Sequence, residues 1–358
     1  MKISLKKYLE KNIPFALFRA PKERIRLVAQ LSSFSNNNNF TDSGFHFAPF
    51  SKREKVPHVV IKNEVDEFLN LDTMEEVFSD NLPITLEMET LKKEVTFPLY
   101  NQHLQTYFSF FEKNKIRKAI YSRIKKTELP KDFGLISFFK KIENAYPKAF
   151  VYIVHLPNIG LWAGASPERL LEHNNDISKT VALAGTQKLK EGIPAKNLDW
   201  GQKEIEEHRM VAEYISNQID KHQLNLIHKS KPYTSAAGRI AHLKQNFEFQ
   251  IKKEKLPAFL NDLHPTPAVC GLPKEKALDL IYVTEPYDRE YYAGYLGMVE
   301  KNNDVNFYVN LRCMKIYNDS ASLFVGGGIT ASSIPQKEWE ETELKAKTLL
   351  NILDLIEV

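Results

Sequence analysis

The feature that most constrains this chain is a run of three consecutive glycines, Gly326 to Gly328, near the C-terminus. They close an apolar segment, Leu323 to Val325, that reads as a buried strand. Three glycines in a row serve a strand poorly, because each costs backbone entropy and adds no side chain to packing. Such a run suits a place where the backbone approaches a ligand closely. We therefore expect the rest of the chain to be arranged around this stretch.

A helix is predicted directly after the glycines, because two serines and Pro335 form a typical N-terminal cap region. On this helix Glu338, Glu341 and Lys345 fall at positions i, i+3 and i+7 and share one face. Two carboxylates and an ammonium beside a glycine strand can hold a metal ion and an anionic ligand together. Ordinary ion pairs on a surface helix explain the same spacing, so both interpretations stay open.

Composition places the chain among ordinary globular proteins, with 358 residues, 43% hydrophobic and 26% charged. A net charge of +4 is small, and no basic cluster interleaved with aromatic residues occurs, so no nucleic-acid partner is expected. Cys270 and Cys313 are the only cysteines, which excludes a disulfide framework and a cysteine-based zinc site. The N-terminus does not resemble a secretory signal, and no stretch approaches membrane-spanning length. We expect a cytoplasmic protein with no membrane partner.

Helices and strands are mixed without regular strand–helix–strand alternation, which favours an α+β fold rich in antiparallel sheet. Apolar residues at helical spacing predict helices over residues 103–116, 135–146, 198–219 and 274–282. Short apolar or alternating runs predict strands over residues 59–61, 84–86, 119–121, 150–156, 181–187, 295–300, 306–317 and 323–325. Residues 264–273 are predicted to form an ordered loop, and residues 36–39 a surface turn. Length alone suggests two domains.

Three charged residues, Lys118, Glu168 and Arg312, lie within or beside short apolar segments. Burial of a charge is costly unless the charge is paired or used by a ligand. The pattern therefore indicates either a functional site or three unrelated ion pairs at strand ends.

Seven motifs occur in a fixed order: GASPERLL, ALAGT, EEHRMV, HPTPAVCGLPKEKA, EPYDREYYAGYLG, LRCMKI and GGGITASSIPQKEWEETELK. Together they resemble the chorismate-utilising enzymes, which include the isochorismate, salicylate, anthranilate and aminodeoxychorismate synthases. The resemblance covers residues 100–358 and implies one large α+β unit, in which two facing antiparallel sheets are flanked by helices. On this basis we expect residues 1–95 to be a divergent N-terminal part of the same fold and residues 96–358 to be the chorismate-binding catalytic region.

Within the family the chain looks most like the isochorismate synthases, because the segment IRKAIYSR has a lysine, Lys118, where those enzymes have their water-activating lysine. The HPTP of residues 264–267 is likewise the isochorismate-type form of its loop. The resemblance implies a Mg²⁺-dependent isomerase that converts chorismate to isochorismate, for menaquinone or siderophore biosynthesis. It implies a monomer without a glutaminase subunit. A salicylate synthase, which also eliminates pyruvate, and an inactive relative remain alternatives.

The resemblance also assigns roles to particular residues. Lys118 would be the base that activates water, and Glu168 the acid that protonates the leaving C4 hydroxyl, which requires a raised pKa. His242 would orient near the reacting edge of the ring, although a purely structural histidine remains an alternative. Glu207 and Glu341 would ligate Mg²⁺. The supporting partners of that metal would be Glu204 and Glu338.

The remaining assignments concern the two carboxylates of chorismate. Gly185 and Thr186 would bind the ring carboxylate, and Thr186 stands where related enzymes often have serine. The enolpyruvyl carboxylate would be held by Arg312, Gly326, Gly327, Gly328 and Lys345. Val269 and Asn310 depart from the family pattern, and both are candidates for residues near the ring that affect product choice. Cys313 is expected in the core.

Overall fold

The computed structural model describes residues 5–34, 40–78, 94–189, 197–237 and 240–354. The predicted turn at residues 36–39 and the predicted strand at residues 84–86 lie outside these ranges. The helices of the described residues are α1 (Leu5–Glu10), α2 (Phe97–Asn114), α3 (Leu135–Ala145), α4 (Gln202–Lys221), α5 (Leu256–Leu263), α6 (Lys274–Thr284) and α7 (Pro335–Asp354). Two short 3-10 helices span Leu71–Thr73 and Lys253–Lys255.

The described strands are β1 (Phe15–Arg19), β2 (Arg26–Ala29), β3 (Gly44–Ala48), β4 (Val59–Ile61), β5 (Val65–Phe68), β6 (Lys118–Glu128), β7 (Phe150–Leu156), β8 (Gly160–Ser166), β9 (Arg169–Asn174), β10 (Ile177–Lys188), β11 (Asn225–Lys229), β12 (Tyr233–Ala237), β13 (Ile240–Gln250), β14 (Gly271–Leu272), β15 (Tyr295–Val299), β16 (Val305–Val309), β17 (Cys313–Ile316) and β18 (Ser320–Ile329). They form two sheets with antiparallel neighbours. The first sheet has the order β14-β6-β18-β17-β8-β7-β1-β2-β5. The second has the order β11-β13-β10-β9-β16-β15-β3-β4, and β12 pairs with β13 outside this path.

The two sheets face each other across one hydrophobic core. Along β7, alternate residues sort to opposite faces, as the period of a strand requires: Tyr152 and Val154 join the core between the sheets, whereas Val151 joins the core under the helices. Phe150 of the first sheet stacks on Tyr308 of the second, with ring centroids 4.6 Å apart. Because one core joins both sheets, the expectation of two domains from length is wrong, and the α+β fold with two facing antiparallel sheets is confirmed.

Strands β1 to β5, which precede residue 95, are distributed over both sheets. The division of the chain at residue 95 stays a prediction. No helix among the described residues is both long enough and apolar enough to cross a membrane, and the cytoplasmic location also stays a prediction.

The predicted helices and most predicted strands are present, but the single strand predicted over residues 306–317 is wrong. The chain there forms β16 in the second sheet and β17 in the first, and it crosses between the sheets at Asn310–Arg312. Arg312 has φ of 51°, in the left-handed region that side chains rarely adopt. Unbroken apolar alternation cannot reveal a change of sheet, because both halves continue to bury alternate residues.

The three glycines also lie inside a strand rather than after one. They belong to β18 and pair with β6, Gly326 opposite Ser122 and Gly328 opposite Ile120. Glycine has a weak strand propensity. Here continuous backbone pairing with β6 and the packing of α7 against β18 stabilise the strand nevertheless.

Candidate active site

A cavity between the sheets is lined by most of the residues selected from the sequence, namely Glu168, Gly185, Thr186, Glu207, His242, Arg312, Gly326, Gly327, Gly328 and Lys345. Their positions depend on two crossings between the sheets. Glu168 lies between β8 and β9, and Arg312 lies between β16 and β17. The crossings run side by side, since Val309 N donates to Glu168 O (2.9 Å) and Ala165 N donates to Arg312 O (3.0 Å). Two charged residues are thereby held together inside the core.

Lys118 begins β6 and has no exposed surface. Its Nζ lies 2.7 Å from Glu207 Oε1 of α4. The angles of this contact do not meet hydrogen-bond geometry, and Nζ has no hydrogen-bond partner among the described residues. A buried amine with unused hydrogen-bonding capacity, beside a cavity, is suited to act on a bound ligand.

Glu168 is 3% exposed. Burial raises the pKa of its carboxyl from the ordinary 4.5 to about 8, although Lys118, Lys244 and Lys345 act in the opposite direction. The carboxyl is therefore protonated at neutral pH and can donate a proton to a group in the cavity.

His242 of β13 is held by a bulge in the neighbouring strand β10. The register between the two strands shifts at Gly185 and Thr186, and Gly185 has φ of 71°. The imidazole Nδ1 of His242 lies 2.9 Å from Gly185 O and 3.3 Å from Thr186 Oγ1. A Cβ on Gly185 would meet the backbone of Glu204 at 3.2 Å, so glycine also lets α4 approach.

The protonation of His242 follows from its surroundings. Burial, together with the positive charges of Arg312 and Lys345, lowers the pKa of the ring to about 3, so it is neutral. Because a carbonyl oxygen only accepts, the proton must be on Nδ1, which donates to Gly185 O. Nε2 is buried and has no partner among the described residues. It is therefore an acceptor facing the site, for example for a hydroxyl of a ligand.

Arg312 makes no ion pair with any described residue, and its Nη1 is buried without a hydrogen-bond partner there. Burial lowers the pKa of the guanidinium. An unpaired buried guanidinium in a strained backbone conformation is costly, and an anionic ligand would supply the missing partner.

The glycine strand approaches this cluster directly. Lys345 Nζ donates to Gly326 O at 2.8 Å. A Cβ on Gly328 would lie 2.7 Å from Glu207 Oε1 and 2.8 Å from Lys118 Cε. The glycines therefore make room for the charged side chains of the site.

Two adjacent glycines give a matched test of this arrangement. Gly328→Ala is expected to lower kcat by about 10²-fold, because the new methyl group displaces the ends of Lys118 and Glu207. In Gly327→Ala the methyl group would face α7 and meet its nearest atom, Glu338 Oε2, at 3.7 Å, which is ordinary contact. We expect that variant to retain nearly full turnover. Equal turnover in the two variants, with similar melting temperatures, would contradict the assignment of Gly328 to the site.

Three carboxylates beside the cavity each have one lysine partner. Besides the Lys118–Glu207 contact, Lys345 Nζ lies 2.7 Å from Glu341 Oε1, and Lys203 binds Glu338. Glu338 is only 2% exposed, so the interpretation of ordinary ion pairs on a surface helix does not describe it. The Lys203–Glu338 ion pair joins α4 to α7.

Mg²⁺ was expected at Glu207 and Glu341. No three His, Cys, Asp or Glu side chains of the described ranges are grouped as metal ligands. The donor type nevertheless fits, because Mg²⁺ prefers carboxylate oxygens and is commonly held by one or two of them together with water and substrate. Glu341 also raises the pKa of Glu338 by charge repulsion, in addition to the effect of burial, so negative charge is concentrated here. Glu204 lies close to the Gly185 bulge.

The sequence interpretation missed several residues of the cavity wall. Tyr292 and Phe324 line it, and Tyr292 OH would be 2.8 Å from a Cβ on Gly326. Tyr292 lies within the EPYDREYYAGYLG motif, and this motif was the feature of the sequence that could have identified it as a cavity residue. Val269 lines the cavity as expected.

Asn310 is a candidate for a residue near the ring of the substrate, but it does not line the cavity. Its amide accepts from Tyr152 OH at 2.6 Å and donates to Tyr291 O at 2.9 Å. Asn310 is fully buried, and it braces the crossing that carries Arg312. Cys313 is a free buried cysteine, as predicted.

The fold and this site define the class of protein. A family model described as chorismate binding enzyme matches residues 48–354. The chain therefore belongs to the chorismate-binding enzyme family, and the resemblance seen in its motifs is confirmed.

Individual relatives are more distant. The chain is 28% identical over 258 residues to the vibriobactin-specific isochorismate synthase of Vibrio cholerae, covering 70% of this chain and 65% of that protein. It is 29% identical over 252 residues to the isochorismate synthase EntC of Escherichia coli, covering 67% of this chain and 63% of that protein. The matches thus span slightly less than two thirds of these curated relatives.

Solved structures show the same fold. The menaquinone-specific isochorismate synthase MenF of Escherichia coli matches with a TM-score of 0.75 and 18% identity, covering 98% of this chain and 91% of that one. Anthranilate synthase component I of Streptococcus pneumoniae matches with a TM-score of 0.64 and 18% identity, covering 94% and 92%.

Proposed function

We propose that this protein is a Mg²⁺-dependent isochorismate synthase. One observation carries the proposal: a buried amine, Lys118, and a carboxyl that is protonated at neutral pH, Glu168, belong to one site with the unpaired guanidinium of Arg312. An amine, a proton donor and an anion-binding cation are what the isomerisation of chorismate requires. The relatives named as isochorismate synthases support the same activity.

The proposed reaction adds water at C2 of chorismate while the C4 hydroxyl leaves. Lys118 takes a proton from water as the water oxygen bonds to C2. The ring double bonds shift, the C4–O bond breaks, and Glu168 gives its proton to the departing hydroxyl, which leaves as water. General acid and base steps of this kind each contribute about 10²- to 10⁴-fold. His242 Nε2 is placed to accept a hydrogen bond from a hydroxyl of the substrate.

The substrate is a dianion, and its two carboxylates need separate partners. Arg312, Lys345 and the backbone of Gly326 to Gly328 would hold the enolpyruvyl carboxylate, while Gly185 and Thr186 would hold the ring carboxylate. Glu207 and Glu341 would hold Mg²⁺, with Glu204 and Glu338 as supporting residues. When bound, the ion would supply positive charge for the ring carboxylate.

The raised pKa of Glu168 predicts an alkaline limit to activity. Because the pKa is raised to about 8, the active protonated form is present below that pH and is lost as the pH rises through it. We expect kcat to fall about tenfold per pH unit well above pH 8. Glu168→Gln should lower kcat by about 10²-fold or more and abolish this limb. Full activity of the wild type at pH 10, with the fold intact by circular dichroism, would contradict Glu168 as the acid.

Product analysis tests the proposed activity itself. Pure protein incubated with chorismate and Mg²⁺ should form isochorismate, resolved by chromatography. Accumulation of salicylate and pyruvate would identify a salicylate synthase instead, and unchanged chorismate would indicate an inactive relative. Menaquinone or siderophore biosynthesis is the proposed context, and a cytoplasmic monomer without a glutaminase subunit is the proposed form.

A further inference from the structure

A second, larger cavity is lined in part by the start of the loop that follows α5. We call it the rear cavity. Its volume is about 670 Å³, within the range of small-molecule sites. Its wall comes from α4, α5, α6, the first residue of β15 and the segments on either side of β3. It includes Gln218, His264, Lys274, Tyr214, Tyr295 and Phe40.

Two hydrogen-bond acceptors in this wall lack a donor among the described residues, His264 Nδ1 and Gln218 Oε1. His264 is 9% exposed. Burial, with the nearby charge of Lys274, lowers the pKa of His264 to about 3, so the ring is neutral. Its Nε2 lies 3.1 Å from Phe50 O and must carry the proton, which leaves Nδ1 as an acceptor. Buried acceptors without donors are costly, and a ligand bearing an O–H group would satisfy them.

The same wall contains a cation whose hydrogen bonds go only to neutral groups. Lys274 Nζ donates to the backbone oxygens of Asn261, Asp262 and His264, at 3.4, 3.1 and 2.6 Å. Burial lowers the pKa of Lys274. Two acidic side chains, Glu275 and Asp262, act on Lys274 by their charge. Glu275 is already bound to Arg53, and Asp262 is bound to Lys221 and His222. An anionic group in the cavity would therefore stabilise the ammonium.

Aromatic side chains supply flat apolar walls. Tyr214, Tyr295 and Phe40 all line the cavity, and Tyr295 packs edge-on against His264 with ring centroids 5.2 Å apart. Flat walls of this kind favour a planar ligand.

We propose that the rear cavity binds a small planar hydroxy-carboxylate, with its carboxylate near Lys274 and its hydroxyl donating to Gln218 or His264. The same ligand would act on the active site through the loop. His264 and Lys274 bound a segment whose middle residues, Ala268 and Val269, line the active-site cavity. Leu272, near its end, pairs with Lys118.

The probe is 4-hydroxybenzoate, compared by calorimetry with benzoate, which lacks the hydroxyl, and phenol, which lacks the charge. We expect 4-hydroxybenzoate to bind at least about tenfold more tightly than either, since each lacks one partner. In Gln218→Leu its affinity should fall about tenfold, whereas Asn217→Ala, an exposed neighbour on the same helix, should bind normally. Lys274→Met should also weaken binding. Because Lys274 also donates hydrogen bonds to the end of α5, its variant can fail to fold. In that case Gln218→Leu still tests the site.

Binding is measured without turnover, so its result is independent of the proposed activity. Arg312→Ala should leave probe binding unchanged, because Arg312 belongs to the other cavity. Saturating probe should change kcat/KM for chorismate in the wild type and not in Gln218→Leu. The site is rejected if 4-hydroxybenzoate does not bind, if Gln218→Leu binds it normally, or if Arg312→Ala abolishes binding. Unchanged turnover with the probe bound would overturn the coupling through the loop.

Discussion

Lys118→Ala is expected to lower kcat by about 10³-fold while the protein remains folded. Lys118 is the fully buried amine whose Nζ has no hydrogen-bond partner in the described part of the chain. Alanine removes the proposed base and leaves Glu207 Oε1 without the Lys118 side chain, whose Nζ lies 2.7 Å away. Because the Glu207 side chain is 16% exposed, water can take over part of that role. Melting temperature should therefore fall only modestly. Turnover of chorismate and thermal denaturation by circular dichroism measure the two effects.

Lys125→Ala is the matched control for this variant. Lys125 lies on the same strand, is 25% exposed, and binds Glu343 at 2.8 Å away from the cavity. Partly exposed pairs contribute little, about 1 kcal/mol or less, so turnover should stay near that of the wild type. If Lys118→Ala kept wild-type turnover, Lys118 would not be the base, and the proposed mechanism would be wrong.

The sequence indicated which residues line the cavity better than it indicated the path of the chain. Charged residues in apolar segments, such as Lys118, Glu168 and Arg312, were recognisable because burial of a charge is costly. The motifs then identified the family. Neither argument indicated that Glu168 and Arg312 lie at adjacent crossings between the sheets, which is what brings them together.

Apolar alternation records which residues are buried but not which sheet buries them. Residues 306–317 therefore read as one strand, although β16 and β17 belong to different sheets. The partners of Asn310 were not visible in the sequence either. A residue at a crossing is fixed by hydrogen bonds to distant segments, here Tyr152 and Tyr291, and spacing in the sequence carries no information about them.

Pairing between distant helices was also beyond the sequence. The i, i+4 rule applies within one helix and does not indicate partners on another helix. In the fold α4 and α7 both lie beside the glycine strand, and Lys203 of α4 pairs with Glu338 of α7. The rear cavity had no signal in the sequence, because its wall comes from several separate elements.

Glu341→Gln is expected to abolish Mg²⁺ dependence and to lower kcat by about 10²-fold or more, since a bound cation supplies several kcal/mol of charge stabilisation. Glutamine keeps the size of the side chain but removes the negative charge. Burial alone would raise the pKa of Glu341. The positive charges of Lys345 (2.7 Å away), Lys203 and Arg312 together outweigh burial, so the pKa is below the ordinary value. The carboxylate is thus ionised at neutral pH, as a Mg²⁺ ligand must be.

Calorimetric titration with Mg²⁺, in the presence of chorismate, separates loss of the ion from loss of the fold. A depressed pKa means that ionised Glu341 adds stability at neutral pH and that this contribution is lost as the pH falls. Glu341→Gln should therefore melt slightly lower than the wild type at pH 7 but not at acid pH. Glu340→Gln, an exposed position on the same helix that accepts from Gln336 at 2.8 Å, should keep Mg²⁺ binding and turnover. If Glu341→Gln bound Mg²⁺ and converted chorismate as well as Glu340→Gln does, Glu341 would not be a Mg²⁺ ligand.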